Sequence, residues 1–356
     1  MTKSTRSIAL GVAGAAPVLA FGLAFGLTSA WAPAQAAEVK GPKLTWNYSV
    51  WGKKRAFTAG IEKLSALLAE KTGGNWTLKI YYGAALSKSR ENLDGLKIGA
   101  FEGAMFCNFY HPKKNPALMA LALPFLPMAT WENNRKVREA VYAHPSVGKQ
   151  LARWNAMVYT SSFLPQYELL GKGKPPVELA DWKGMTVRAG GGLGRAMKVL
   201  GATPTTPTAT EVYTGMQQGT MQAASFPFTY AHVAYKIHEL ADWYTANLSP
   251  GTADCPLTFS ISAYKKLPAQ YKKLLEDSKE AVIAAQIDAY KKADAKNLPM
   301  LKKKLKEVRY TDAQIAAFRK AGGRPVIEAW IKENQDKFDA RGLVKSMFAA
   351  VGQTYE

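Results

Sequence analysis

Residues 44–107 open on Leu44-Thr-Trp-Asn-Tyr-Ser-Val50, continue through Trp76-Thr-Leu-Lys-Ile-Tyr-Tyr82 and close on Gly103-Ala-Met-Phe-Cys107. These are short apolar runs, the first two rich in aromatic and β-branched residues, and they read as strands. Between the first two, Phe57, Ile61, Leu64, Leu67 and Leu68 recur near helical spacing, which predicts a helix over 56–72 ended by Gly73-Gly74. A shorter helix is predicted over 90–98. The order β-α-β-α-β is that of an open, mostly parallel α/β sheet.

Downstream, Pro124-Phe-Leu-Pro127 interrupts the alternation. Helices are expected from Trp131 to about Tyr142 and from Pro145 to Trp154. Met157 to Leu170 is an extended apolar run suited to crossing from one domain to another. Met185-Thr-Val-Arg188 reads as a strand, Gly190-Gly-Gly-Leu-Gly194 as a turn, and Arg195 to Leu200 as a helix. Thr208-x-x-Glu211 has the capping-box pattern, in which the Thr hydroxyl accepts the Glu211 N–H and the carboxylate returns to the Thr208 N–H. Further strands are expected at Met221–Phe226 and Leu257–Ser262, with a helix from Tyr230 to Glu239. A long helix starts after Pro268 and runs to about Asn297, with Pro299 kinking or stopping it. Thr311-x-x-Gln314 opens a late helix.

Upstream, Lys3 and Arg6 precede an uncharged stretch from Ile8 to Ala30, followed by Ala34-Gln35-Ala36. A basic start, an apolar middle and a small-x-small end form a cleavable secretory signal. A membrane anchor is the competing reading. The expected mature chain begins near Ala37 or Glu38 in the periplasm, with no stable membrane insertion. About 320 residues then remain, a length that suggests two domains.

The formal charge is +20, from 47 Lys and Arg against 27 Asp and Glu. Export argues against nucleic acid as the partner, and the lysines are spread along helical patterns, as on a solvated surface. Four histidines lack metal-ligand spacing, so no metal is expected. No G-x-S-x-G elbow occurs. The glycines at 190–194 do not match G-x-G-x-x-G, and Glu211 is explained by its capping pattern, so no nucleotide cofactor is expected. Cys107 and Cys255 are the two cysteines. They can pair in an oxidising compartment, but sequence does not establish their distance.

Arg188 ends a strand directly before a helix start, where unpaired N–H groups and a planar guanidinium together suit a carboxylate. The competing reading is a surface arginine paired with Asp181 or Glu211. Three blocks extend the reading: Leu179-Ala-Asp-Trp-Lys-Gly-Met-Thr-Val-Arg188, Leu200-Gly-Ala-Thr-Pro204 and Glu211-Val-Tyr-Thr-Gly-Met-Gln-Gln-Gly219. In order and spacing they resemble the DctP-like solute-binding proteins of TRAP (tripartite ATP-independent periplasmic) transporters. Weaker likeness covers Glu70-Lys-Thr-Gly-Gly74, 93–99 and Leu123-Pro-Phe-Leu126.

The resemblance implies a two-domain, type II-like periplasmic-binding-protein flytrap, α/β throughout, with mixed sheets flanked by helices and a long helix spanning the domains. The expected division is 37–163 with 254–285 as domain I, and 164–253 with 286–356 as domain II. The resemblance further implies that Arg188 binds the ligand carboxylate and that a TRAP membrane transporter receives the solute. Two departures stand out. Phe226 replaces a common ligand-contacting asparagine, and Gln166-Tyr-Glu168 stands where some members carry a second arginine. The expected ligand is therefore a monocarboxylate, aromatic or zwitterionic, rather than a dicarboxylate. The expected binding set is Arg188, Phe226, Tyr167, Glu168, Trp51, Phe106 and Tyr213, with Glu168 facing the cationic end of a zwitterion. Ordinary core packing competes for the aromatics singled out. The chain is expected to be a monomer without catalytic activity. A sensor subunit and an exported enzyme on the same scaffold are the alternative functions.

Overall fold

The computed structural model describes residues 38–356; the proposed leader at 1–36 and Ala37 lie outside them. The opening alternation forms as read: β1 (Leu44–Ser49), helix Ala59–Lys71, β2 (Trp76–Tyr81), helix Asn92–Lys97 and β3 (Gly103–Met105). β4 (Ala156–Thr160) and β5 (Tyr167–Gly171) bracket the extended run. Six more strands follow: β6 (Thr186–Arg188), β7 (Thr203–Thr205), β8 (Ala223–Pro227), β9 (Trp243–Thr245), β10 (Leu257–Ser260) and β11 (Lys306–Val308).

These strands make two mixed sheets. The first has the order β2-β1-β3-β10-β4, with β1 parallel to β2 and β3, and β10 antiparallel to β3 and β4. The second has the order β11-β9-β5-β8-β6-β7, with β5 antiparallel to its two neighbours. Aromatic pairs fill the core beside each sheet. In the first, Trp46 meets Trp76 edge-on at 5.1 Å and Trp76 stacks on Tyr271 at 4.9 Å. In the second, Trp182 meets Trp243 at 5.7 Å. Large rings of this kind carry much of the apolar burial in a core.

The chain passes between the sheets at residues 161–166, at 246–256 and along the helix Ala269–Lys304. That helix touches both sides. Its Gln286 donates to Ala56 O at 2.7 Å and accepts from Gly60 N at 3.0 Å, next to the first sheet. Its Asp294 accepts from Thr229 N and Oγ1 at 2.9 and 2.8 Å, next to the second. Between them, Tyr290 donates to Ser162 O at 2.9 Å in the first crossing segment. Arg138, on the helix Trp131–Ala143, forms a fully buried ion pair with Asp254 of the second crossing segment and donates to Leu164 O of the first at 3.4 Å. Asp254 also accepts from Ser161 Oγ and Tyr142 OH, at 2.9 and 2.7 Å, so its lone pairs are well used.

Several expectations need correction. The long helix runs through Pro299 to Lys304, because buried Leu301 and Leu305 hold the turns beyond the missing N–H. The helix expected over Tyr230–Glu239 is two short ones, Tyr230–Ala234 and Ile237–Leu240, broken at Lys236, whose φ is +61°. Residues Gly191–Val199 are helical, so most of the glycine run is the helix's first turn and not a preceding loop. β7, β9 and β11 were not expected; at three residues each they show no alternation to read.

An aromatic cavity around Arg188

β6 carries Arg188 into the space between the two sheets. The side chain is 1% exposed. Ser225 on β8 holds the guanidinium and the backbone of the residue: Arg188 Nη1 donates to Ser225 O at 2.7 Å, and Ser225 Oγ donates to the Arg188 main-chain O at 2.9 Å. From the first sheet's side, Tyr110 OH accepts from Arg188 Nη2 at 3.3 Å. The guanidinium lies 4.3 Å from the Phe226 ring centre and 5.2 Å from that of Phe109. Its Nε is buried and makes no hydrogen bond among the described residues. Among the described residues no Asp or Glu forms an ion pair with it. Asp181 instead accepts from Glu178 N, and Glu211 from Thr208 N. A buried cation held only by a carbonyl, a hydroxyl and two ring faces is under-compensated, and an anion brought to its open edge gains strongly.

Arg188 shares a cavity with Trp51, Tyr167, Phe226, Arg55 and Tyr235. Its volume is about 20 Å³, room for roughly one water. A ligand of several heavy atoms therefore enters only when the walls part. Trp51, Arg55 and Tyr235 also border an outer chamber of about 890 Å³ that contains Lys53, Lys88 and Arg90. Arg188 faces the smaller space alone, whereas Arg55 and Tyr235 border both. Burial raises the Tyr110 hydroxyl above its ordinary pKa despite the Arg188 charge, and raises Tyr167 likewise. Burial lowers His232, edge-on to Phe226 at 5.7 Å, to about 3, so it stands neutral behind the wall.

Of the expected set, Arg188, Trp51, Tyr167 and Phe226 come together here. Glu168 does not. Its carboxylate reaches away, toward β9 and the turn after it, accepting from Thr245 Oγ1, Leu248 N and Ser249 N at 2.5, 3.2 and 3.2 Å. Those donors fix a buried acid in place, and burial pushes its pKa up to about 7. Phe106 is fully buried, edge-on to His111 at 5.7 Å, and is core. Tyr213 borders the outer chamber. The helix start at Gly191 is also apart from the cavity. A Cβ on Gly192 would sit 2.5 Å from Ala122 O, and one on Gly190 would sit 2.8 Å from the Phe109 ring, so those glycines serve close packing.

Sequence reasoning missed Arg55, Tyr110 and Tyr235. Arg55 had one available signal: it lies beyond the carboxyl end of β1, where open α/β sheets gather ligands. The tyrosines had none. The cysteines pair as Cys107–Cys255 and also line the cavity. They continue the β3–β10 register, in which Met105 faces Leu257.

A family model described as bacterial extracellular solute-binding protein, family 7 (DctP) matches residues 48–333. A solute-binding protein of Albidiferax ferrireducens is 28% identical over 261 residues, 68% of this chain and 72% of that one. A TRAP periplasmic solute-binding protein from Desulfovibrio salexigens, solved with orotic acid, superposes with a TM-score of 0.77 at 19% identity, covering 86% of this chain and 98% of that one. A marine metagenome TRAP solute-binding protein specific for aromatic acids, solved with 3-hydroxybenzoate, gives 0.74 at 20% identity, covering 89% and 100%.

Proposed function

The chain belongs to family 7 of the bacterial extracellular solute-binding proteins, the DctP-like binding proteins of TRAP transporters, and from that premise we propose that it captures a small monocarboxylate, its body aromatic or flat and apolar, on Arg188. The observation that carries this reading is the buried guanidinium with an open Nε edge and no acid of its own. The carboxylate docks on that edge. Phe226, Trp51 and Tyr167 then cover the rest of the ligand and exclude water, which strengthens the ion pair. The aromatic-acid specificity of the metagenome neighbour supports this ligand class. With Glu168 turned away, a zwitterion finds no carboxylate at the far wall.

The lobes are 37–163 with 254–285, and 164–253 with 286–356. They part about the crossing segments, admit ligand and close, and the closed form presents the surface that TRAP membrane subunits read. The leader at 1–36 sends the chain to the periplasm, and the solute leaves chemically unchanged. Calorimetric titration of the mature chain with benzoate and aliphatic 2-oxo acids tests the assignment. Arg188→Ala is expected to weaken binding by about 2–5 kcal/mol, since it leaves a buried carboxylate unpaired. Unchanged affinity in a folded variant would remove Arg188 from the site.

A further inference from the structure

Arg55 is the second guanidinium in the cavity. Its Nη1 donates to Trp51 O at 2.9 Å and to Lys53 O at 2.6 Å, which pins the group to the turn after β1. Its carbon lies 4.7 Å from the Phe57 ring centre and 5.5 Å from that of Tyr235. Tyr235 in turn stacks on Phe226, 5.6 Å between centres and 17° between planes. Phe226 carries Arg188 on its ring at 4.3 Å. The four groups form a column, Arg188–Phe226–Tyr235–Arg55, with a cation against each end of an aromatic pair.

Both ends of the column have free donors. Arg55 Nε and Tyr235 OH are buried without a hydrogen-bond partner among the described residues, as is Arg188 Nε. Among the described residues no Asp or Glu forms an ion pair with Arg55. Gly52 makes the arrangement possible. Its φ is +69°, and a Cβ there would lie 3.0 Å from Arg55 Nη1 and 3.3 Å from Tyr235 OH. A side chain at 52 would press on both groups. One carboxylate on Arg188 leaves the distal donors unanswered, and buried donors without an acceptor are costly.

We propose that Arg55 and the Tyr235 hydroxyl form a second polar subsite, which accepts an uncharged oxygen-bearing group, a hydroxyl or a carbonyl, at the end of the ligand remote from Arg188. The proposal rests on Arg188 holding the first carboxylate. It makes Arg55 and Tyr235 specificity-determining: they select substituted acids over the bare ring by rewarding a distal acceptor and leaving a desolvated donor unpaired without one.

The test is calorimetric titration of the mature chain with benzoate, 3-hydroxybenzoate, 4-hydroxybenzoate and 4-acetylbenzoate. The wild type is expected to bind at least one substituted acid about tenfold or more tighter than benzoate. In Arg55→Met that ratio falls toward one, and in Tyr235→Phe, which removes a single oxygen, it falls part of the way. Melting curves of both variants establish that they are folded. A wild type that does not prefer a substituted ring, or binds none of the four probes, overturns the proposal. So does a ratio that survives in both variants, or an equal loss for all four ligands. The Arg188→Ala arm separates the two readings: benzoate affinity that survives it sinks the carboxylate assignment, whereas its loss together with an unchanged Arg55→Met ratio sinks only the distal subsite.

Discussion

Arg188 Nη2 and the Tyr110 hydroxyl meet at 3.3 Å across the boundary between the two sheets. Arg188 ends β6 of the second sheet; Tyr110 follows β3 of the first. The same hydroxyl accepts from Ala209 N at 2.8 Å, so one oxygen beside the first sheet binds both the end of β6 and the segment after β7. If the lobes part as proposed, both bonds break on opening, and Tyr110 is then expected to favour the closed form.

Tyr110→Phe keeps the ring against Phe109 and removes that oxygen. Two donors lose their acceptor in the closed form and regain water in the open one. Ligand affinity is expected to fall by about 1–3 kcal/mol, with urea stability changing less. Calorimetry and urea unfolding on the same sample check this, and a larger loss of stability than of affinity would count against a closing role.

The Cys107–Cys255 bond joins positions 148 residues apart and fastens β3 to β10 where both reach the cavity. The double variant Cys107→Ser, Cys255→Ser is expected to lose about 2–5 kcal/mol of stability. A reductant is expected to lower the melting temperature of the wild type and leave the double variant unmoved. Scanning calorimetry with and without reductant reads both effects.

Glu168 gives a pH dependence with a definite sign. Burial raises its folded pKa from the ordinary 4.5 to about 7. Between those values the folded state holds a proton that the unfolded state has released. This group's contribution to stability is therefore full at low pH and is lost as pH rises toward 7. The buried histidines run the other way: His232, lowered to about 3, and His111, lowered to about 4, destabilise the fold as pH falls below 6.5. Subtraction isolates Glu168. Wild-type stability minus that of Glu168→Gln is expected to fall by roughly 3 kcal/mol from pH 4.5 to pH 7. Urea melts across that range check it; a flat difference would mean the acid titrates normally.

Asp254 answers Arg138 where the crossing segments meet. Asp254→Ala strands a buried guanidinium and is expected to destabilise by about 3–5 kcal/mol. Replacing Arg138 by Met at the same time is expected to recover part of the loss, which a urea double-variant cycle measures.

The strand–helix alternation of 44–107, the extended run that becomes β4 and β5, and the late capping box at Thr311 and Gln314 were legible because each rests on neighbours in sequence. Arg188 was legible through its place at a strand end and through the spacing of three blocks. The capping pattern at Thr208 was half right: Glu211 does return to Thr208 N at 2.6 Å, but the Thr hydroxyl turns to Thr210. Glu168 was misplaced because nothing nearby in sequence reveals the three donors at 245–249 that draw its carboxylate away.

Local order of apolar and polar residues, with turns and caps, determined the strand–helix alternation of 44–107 and an arginine at the end of β6, whereas a division into two lobes was implied only by the resemblance to the DctP-like family. Only the tertiary structure decided which rings face that arginine, that Cys107 meets Cys255, and that Arg55 stands at the far end of the Phe226–Tyr235 stack. The physical reason is distance along the chain. Periodicity reports a residue's relation to its own helix or strand, whereas a cavity wall is assembled by sheet register and crossing segments from residues more than a hundred positions apart.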